Sequence, residues 1–214
     1  MDFRARSDVP TISVDEGERL LQRYAPLAQA VRELIDASLR TEADEVTARE
    51  VTAHIQTLTQ RLRAATLSDA SGLRYVVDGR PLPWGNAAVG LRNPIAPPLV
   101  IEHDDHGRCW ADFRLGAAYE GPPSLVHGGV SALILDHVLG EAASEGLTKP
   151  LYTGTITVKY LRGTPLGPLH AEAAIDRRDG VKTYVRGHIA DASGITVEAQ
   201  GVFITPSWAR SEDQ

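Results

Sequence analysis

Residues 121–143, GPPSLVHGGVSALILDHVLGEAA, decide the fold of this 214-residue chain. From Val130 to Ala143 almost every position is apolar or small, and the few polar positions do not share one face. This pattern predicts a helix that is enclosed on all sides. Asp136 lies in its middle, and burying an acid in apolar surroundings costs several kcal/mol unless it is paired or takes part in chemistry. The sequence therefore predicts a specific role for Asp136.

The start of this helix has the features of an oxyanion site. Gly128 and Gly129 leave the first helical N–H groups uncovered by bulky side chains, and a helix N-terminus favours negative charge. Gly128 and Asp136 are eight residues apart, which is roughly 12 Å along one helix. If both groups act on the same bond, they come from two copies of the chain related by a two-fold axis.

The bulk composition is that of an ordinary globular protein, with 43% hydrophobic and 23% charged residues and a formal net charge of -6. There is no sustained basic block, so no nucleic-acid partner is predicted. Cys109 is the only cysteine, which excludes a disulfide framework within the chain. With neither a secretory signal nor a run of eighteen apolar residues, we expect a cytoplasmic protein without a membrane span.

The first part of the chain, residues 1–67, is expected to form a loose tail and then a helical hairpin. Two apolar stripes with helical spacing, at about 20–39 and 51–62, predict helices that pack on the rest of the protein as a scaffold or lid. Residues 68–97, rich in Pro and Gly, predict an ordered crossing loop or linker in which a helix and a long strand are both disfavoured. In that loop Trp84 and Asn93 could face a ligand, although an aromatic residue there more often pins the loop to the core.

The segments before and after the central helix have the alternating pattern of β-strands. Residues 99–103 and 107–115 predict a hairpin, and four further strands are expected at about 152–162, 168–177, 181–191 and 195–205. His103-Asp104-Asp105-His106 between the first two is read as a solvated turn rather than a metal site. The fold class is therefore α+β, with an antiparallel sheet that wraps the helix over residues 98–206. Residues 207–214 are a polar tail.

The motif V-H-G-G-x-x-A-x-x-x-D over residues 126–136, followed by V-K-Y-L-R at 158–162 and P-L-G at 165–167, resembles a known family. It is similar to the hotdog-fold acyl-CoA thioesterases of the phenylacetate-degradation and 4-hydroxybenzoyl-CoA thioesterase type. The resemblance covers residues 98–206. Asn93-Pro94 and the N-terminal helices resemble a subgroup with a helical extension.

The resemblance implies an acyl-CoA thioesterase with active sites shared in a homodimer or a dimer of dimers, and no cofactor or metal. It places the polarising amide at Gly128, the carboxylate at Asp136 and a hydroxyl at Thr153, which would hold the water. Asp136 would act as general base or as a nucleophile that forms a mixed anhydride. Strand alternation puts Thr153 on the same face as Thr155 and Thr157. Thr153 could therefore equally be one of several solvated threonines without a catalytic role.

Further residues receive supporting roles. His127 is expected to position the Gly128 amide, and a Ser-His nucleophile arrangement is the less favoured alternative. Gly129, Asn93, Lys182 and Arg162 are the candidate substrate contacts, the two cations for the phosphates of coenzyme A. Gly121 stands where some relatives carry asparagine, so substrate orientation must rely on other groups. A hydratase or dehydratase on the same fold, or a non-catalytic acyl-CoA-binding module, are the alternative functions.

Overall fold

A computed structural model describes residues 9–67, 74–104 and 106–210. Most of the predicted N-terminal tail, part of the crossing loop, Asp105 and the last four tail residues lie outside these ranges. The helices are α1 (Val14–Arg40), α2 (Glu45–Arg63) and α3 (Gly128–Ala143). The strands are β1 (Arg74–Val77), β2 (Arg80–Pro83), β3 (Glu102–His103), β4 (Arg108–Leu115), β5 (Tyr152–Tyr160), β6 (Gly167–Asp179), β7 (Lys182–Asp191) and β8 (Gly194–Ile204).

The two N-terminal helices begin at capping side chains. The Ser13 hydroxyl accepts from the Glu16 amide, and the Asp44 carboxylate accepts from the Thr47 amide, each satisfying an N–H that the helix leaves unpaired. The predicted packing of the hairpin is wrong for α2. No α2 residue is buried, and Leu58 of its apolar stripe is 55% exposed. Periodicity reports that a helix has an apolar face but not that a partner covers that face.

The crossing loop contains a hairpin that the sequence analysis missed. β1 and β2 pair antiparallel through a two-residue turn at Asp78 and Gly79, which have φ angles of 50° and 72°. An Asp-Gly pair suits a turn with both central residues at positive φ, so this pair is the sequence signal for the hairpin. Trp84 follows directly, is 6% exposed and packs edge-to-face on Tyr75. It anchors the loop.

The main sheet has six antiparallel strands in the order β3-β4-β6-β7-β8-β5. The four strands after α3 form where predicted, and tight turns join β6 to β7 and β7 to β8. Before α3, only Glu102–His103 of the predicted strand at 99–103 form a strand in the structure. The sheet wraps α3 through a core that includes Phe113, Leu139 and Phe203. In the described ranges every helix is too short or too polar to span a bilayer.

The prediction that α3 is enclosed on all sides is wrong. Ile134, Leu135, Val138 and Leu139 are fully buried against the sheet, whereas Leu133 is 37% exposed. Gly129 is exposed, and Ala132 and Asp136 are half-buried on the same side as Leu133. One sheet can cover only one side of a helix, so the chain alone leaves an apolar face of α3 open around Asp136.

A bulge in β5 corrects the predicted facing of Thr153. Thr153 is the cross-strand partner of Phe203, and Thr155 is the partner of Val202, so Gly154 is an extra residue between two successive pairs. The extra residue reverses the alternation, because directly opposed residues share a sheet face. Thr153 therefore lies on the inner face with Phe203, near α3, and not on the face of Thr155.

Candidate active site

The N-terminus of α3 is held by His127, its capping residue. The His127 Nδ1 atom accepts from the Gly129 amide at 3.0 Å, and the His127 amide donates to the Tyr119 carbonyl at 2.9 Å. The ring thus occupies the second glycine amide. Within residues 9–67, 74–104 and 106–210, the Gly128 amide has no acceptor. The helix terminus therefore presents one free donor, at Gly128.

Tyr160 is a contact of this terminus to which the sequence analysis gave no role. Its hydroxyl donates to the Gly128 carbonyl at 2.7 Å. A Cβ atom at position 128 would lie 3.3 Å from the Tyr160 hydroxyl oxygen, so the ring lies directly over the glycine. The available signal was the aromatic residue inside the V-K-Y-L-R segment. Tyr160 fixes the orientation of the peptide unit that follows Gly128.

Asp136 and Thr153 are in direct contact. The Thr153 hydroxyl donates to Asp136 Oδ1 at 2.9 Å. Both residues line a cavity of about 240 Å³ between α3, the start of β5 and β8. The apolar part of its wall includes Leu151, Phe203 and Trp208. The structure thus brings together two of the predicted site residues, and the hydroxyl contacts the carboxylate itself.

The glycine amide and the carboxylate do not share a cavity within one chain. Gly128 and Asp136 lie on one continuous helix, so they are separated by roughly 12 Å along its axis. The cavity wall includes Asp136 and Thr153 but not Gly128 or His127. The two halves of the predicted site are therefore present but separated in a single chain.

Arg162 is held in a clamp on the turn between β7 and β8. Its guanidinium donates to both carboxylate oxygens of Asp191, at 2.8 and 2.6 Å, and to the Gly194 carbonyl at 2.8 Å. The hydrogen bond from Arg162 is the main reason that the pKa of Asp191 falls to about 2. The same pairing raises the pKa of Arg162. This arginine fixes a hairpin end.

The other predicted substrate contacts are dispersed. Asn93 uses its side chain locally, donating to the Asn86 carbonyl and accepting from the Ile95 amide, both at 3.3 Å. Lys182 is exposed at the start of β7. The next residue, Thr183, pairs with inward-facing Phe203, so alternation puts Lys182 on the outer sheet face. The structure does not gather these residues around Asp136.

Of the candidate metal segment 103–106, the structure describes His103, Asp104 and His106. The Asp104 carboxylate accepts from the His106 and Arg108 amides, and the Arg108 contact comes first among the causes that lower the pKa of Asp104. His103 points instead to α3, where its Nε2 lies 3.2 Å from Glu141 Oε1. In the part of the chain that the structure describes, no group of three or more His, Cys, Asp or Glu side chains is placed to hold a metal ion.

An antiparallel sheet around one helix, with a carboxylate and a free glycine amide on that helix, defines a hotdog protein of the thioesterase class. The chain belongs to the thioesterase superfamily, whose family model matches residues 124–198. The crystal structure of the thioesterase superfamily protein RHA08564 is 33% identical and superposes with a TM-score of 0.76, over 85% of this chain and 90% of that one.

Among curated proteins, the chain is similar to acyl-coenzyme A thioesterase THEM4. The Xenopus laevis protein is 32% identical over 97 residues, 43% of this chain and 42% of that protein. The Bos taurus protein is 25% identical over 109 residues, 50% of this chain and 44% of that protein. The chain thus spans less than half the length of these relatives.

Proposed function

We propose that this protein hydrolyses an acyl-CoA thioester to the free acid and coenzyme A. The observation that carries the proposal is the Asp136–Thr153 contact at the wall of an open cavity, on a helix whose first amide is unpaired. A carboxylate held by one hydroxyl keeps its second oxygen for a water molecule or a carbonyl carbon. The similarity to proteins named as acyl-CoA thioesterases agrees with this chemistry.

The thioester carbonyl would dock on the Gly128 N–H. That donor and the helix dipole stabilise the charge that develops on oxygen, an effect of about 3 kcal/mol for one well-placed donor. Asp136 then removes a proton from water as the water attacks the carbonyl carbon, or it attacks that carbon itself to give a mixed anhydride that water cleaves. In both routes the C–S bond breaks and the thiolate leaves with the bonding electrons.

The site is proposed to be completed by a second copy of the chain. A carbonyl cannot touch both Gly128 and Asp136 on one helix, whereas a two-fold axis can bring the amide of one chain to the carboxylate of its partner. The open apolar face of α3 around Leu133 and the edge strand β5 are the surfaces available for that pairing. Each dimer then contains two sites.

Each segment of the chain has a proposed role in this function. Residues 98–206 would form the catalytic unit, joined by 68–97 to an accessory helical region at 1–67, with 207–214 as a tail. Lys182 makes no ion pair with the described residues and remains the proposed phosphate contact. Arg162, Asn93 and Gly129 would have to exchange existing hydrogen bonds for contacts with substrate.

The test is thiol release from short, aromatic and long acyl-CoA substrates, measured with a colour reagent. Asp136→Asn is expected to lower kcat/KM at least a hundredfold, the scale of losing general-base catalysis, with the thermal transition retained. Asp112→Asn, an exposed carboxylate beside His170 on the outer sheet face, is the matched control with wild-type activity. Loss of an enoyl double bond without thiol release would identify a hydratase. Binding of acyl-CoA without any turnover would identify a non-catalytic module.

Sharing of the site has its own test. Gly128→Pro removes the proposed N–H donor at the first helical position, where proline is tolerated. Neither Gly128→Pro nor Asp136→Asn should be active alone. Random exchange of subunits between them should restore about a quarter of wild-type activity, because half the dimers are mixed and each has one intact site. No recovery after verified exchange would contradict a shared site.

A further inference from the structure

Glu141 is a buried acid to which neither the sequence analysis nor the proposed mechanism gives a role. It is 8% exposed and lies on the sheet-facing side of α3 between two imidazoles. Its Oε1 is 3.2 Å from His103 Nε2, and its Oε2 is 3.4 Å from His137 Nε2. A buried carboxylate is costly unless it is paired, so these two rings are its natural partners.

His137 links this acid to the proposed active site. It follows Asp136 in the chain and lines the same cavity as Asp136 and Thr153. The Nε2 atom is enclosed and lacks an aligned hydrogen bond within the described ranges, although the Glu141 carboxylate lies at ion-pair distance. The nitrogen that faces Glu141 is thus out of reach of solvent, whereas His137 as a residue contributes to the cavity wall.

Elementary hydrogen-bond chemistry then restricts the tautomers. An ionised carboxylate only accepts, so a proton on each Nε2 that faces Glu141 is favoured over a bare lone pair there. The other neighbour, Cys109, does not alter this, because burial and then the Glu141 charge raise the pKa of its thiol to about 12. Its Sγ donates to the Val138 carbonyl at 3.3 Å instead. In neutral His137 the remaining nitrogen, Nδ1, is then a bare acceptor.

We propose that Glu141 is a positioning residue that fixes the ring and tautomer of His137, so that His137 Nδ1 offers a hydrogen-bond acceptor to the occupant of the Asp136 cavity. His103, whose Nε2 lies 3.2 Å from the other carboxylate oxygen, keeps the acid in place. The kinetic part of this proposal rests on the proposed thioesterase function, whereas the tautomer part does not.

The tautomer is read from the 15N chemical shifts of the histidine rings in the full chain. The wild type should show His137 as the Nε2–H tautomer at neutral pH. Glu141→Met removes every acceptor while keeping an unbranched side chain, and should give a mixture of tautomers. Glu141→Gln serves if the methionine variant does not fold, because one amide oxygen cannot accept from both rings. A single unchanged tautomer in the folded variant would overturn the proposal.

The kinetic arm is a double-mutant cycle on thiol release. Glu141→Met and His137→Gln should each lower kcat/KM about tenfold, and the double variant should lose about tenfold rather than a hundredfold, because residues of one unit are not additive. Asp112→Asn, which removes the carboxylate beside His170, is the matched control. Additive losses would overturn the proposal. An absence of thiol release in all variants, with the tautomer change observed, would refute the proposed function instead.

Discussion

Thr153→Val tests the contact on which the proposed chemistry depends. Valine keeps the β-branched shape that suits a strand but has no hydroxyl to donate to Asp136 Oδ1 at 2.9 Å. A hydrogen bond to a charged group contributes about 1.5–3 kcal/mol, and the lower end applies here because the site is partly open to solvent. Since about 1.4 kcal/mol corresponds to a factor of ten, kcat/KM should fall about tenfold.

The assay is thiol release at neutral pH with one acyl-CoA substrate at saturating and limiting concentrations. Thr153→Ser keeps the donor and should stay within about threefold of wild type, which separates the hydroxyl from the shape of the side chain. In an Asp136→Asn background, Thr153→Val should have little further effect, because the charged partner is already gone. Wild-type kinetics of a folded Thr153→Val protein would refute the reasoning.

Three further predictions concern the cavity wall, a hairpin clamp and the buried thiol. Gly140→Ala places a methyl group 3.3 Å from the Phe203 ring at the cavity wall, so bulky acyl-CoA substrates should lose more activity than acetyl-CoA; equal losses would contradict an acyl cavity. The pKa of Asp191 is lowered to about 2. Its pairing with Arg162 therefore stabilises the folded protein above about pH 4, and this stabilisation disappears as the pH falls toward 2. Asp191→Asn should therefore unfold at a lower temperature at pH 7 and converge with the wild type near pH 2; a constant gap would contradict the clamp. Cys109, whose pKa burial raises to about 12, should not react with a thiol reagent at pH 8 until the protein is unfolded, and rapid native labelling would contradict its burial.

Much of the fold could be predicted because local patterns report local structure. The alternating segments between Tyr152 and Ile204 predicted the last four strands, and the apolar run after Gly128 predicted α3. What could not be predicted depends on contacts between distant segments. The face of Thr153 is set by the bulge at Gly154, and alternation alone assigns the wrong side. The exposure of Leu133 depends on how far one sheet extends around a helix, which periodicity does not report.

The candidate site, which stays a prediction, could likewise be predicted only in part from the sequence. The acid at Asp136 and the bare amide at Gly128 could be proposed from sequence, because they follow from residue type and position. Partners that follow from packing could not. Tyr160 reaches the Gly128 carbonyl from a strand 32 residues away, and no spacing rule connects them. Arg162 has the charge for a phosphate, but a bidentate carboxylate already occupies it, and composition does not show that.

The two acids of α3 illustrate why environment and not residue type assigns a role. Asp136 and Glu141 are five residues apart, so they point about 140° from each other around the helix axis. Asp136 faces the open side and receives one neutral hydroxyl, which orients the carboxylate without neutralising it. Glu141 faces the sheet, and an imidazole nitrogen lies within ion-pair distance of each of its oxygens. An acid that must react with substrate needs an accessible oxygen and an unneutralised charge, whereas an acid that must hold another side chain needs enclosure and a donor on each oxygen. The helix meets both requirements because its two faces have different surroundings, and an i, i+4 spacing from His137 to Glu141 was the sequence signal for the second.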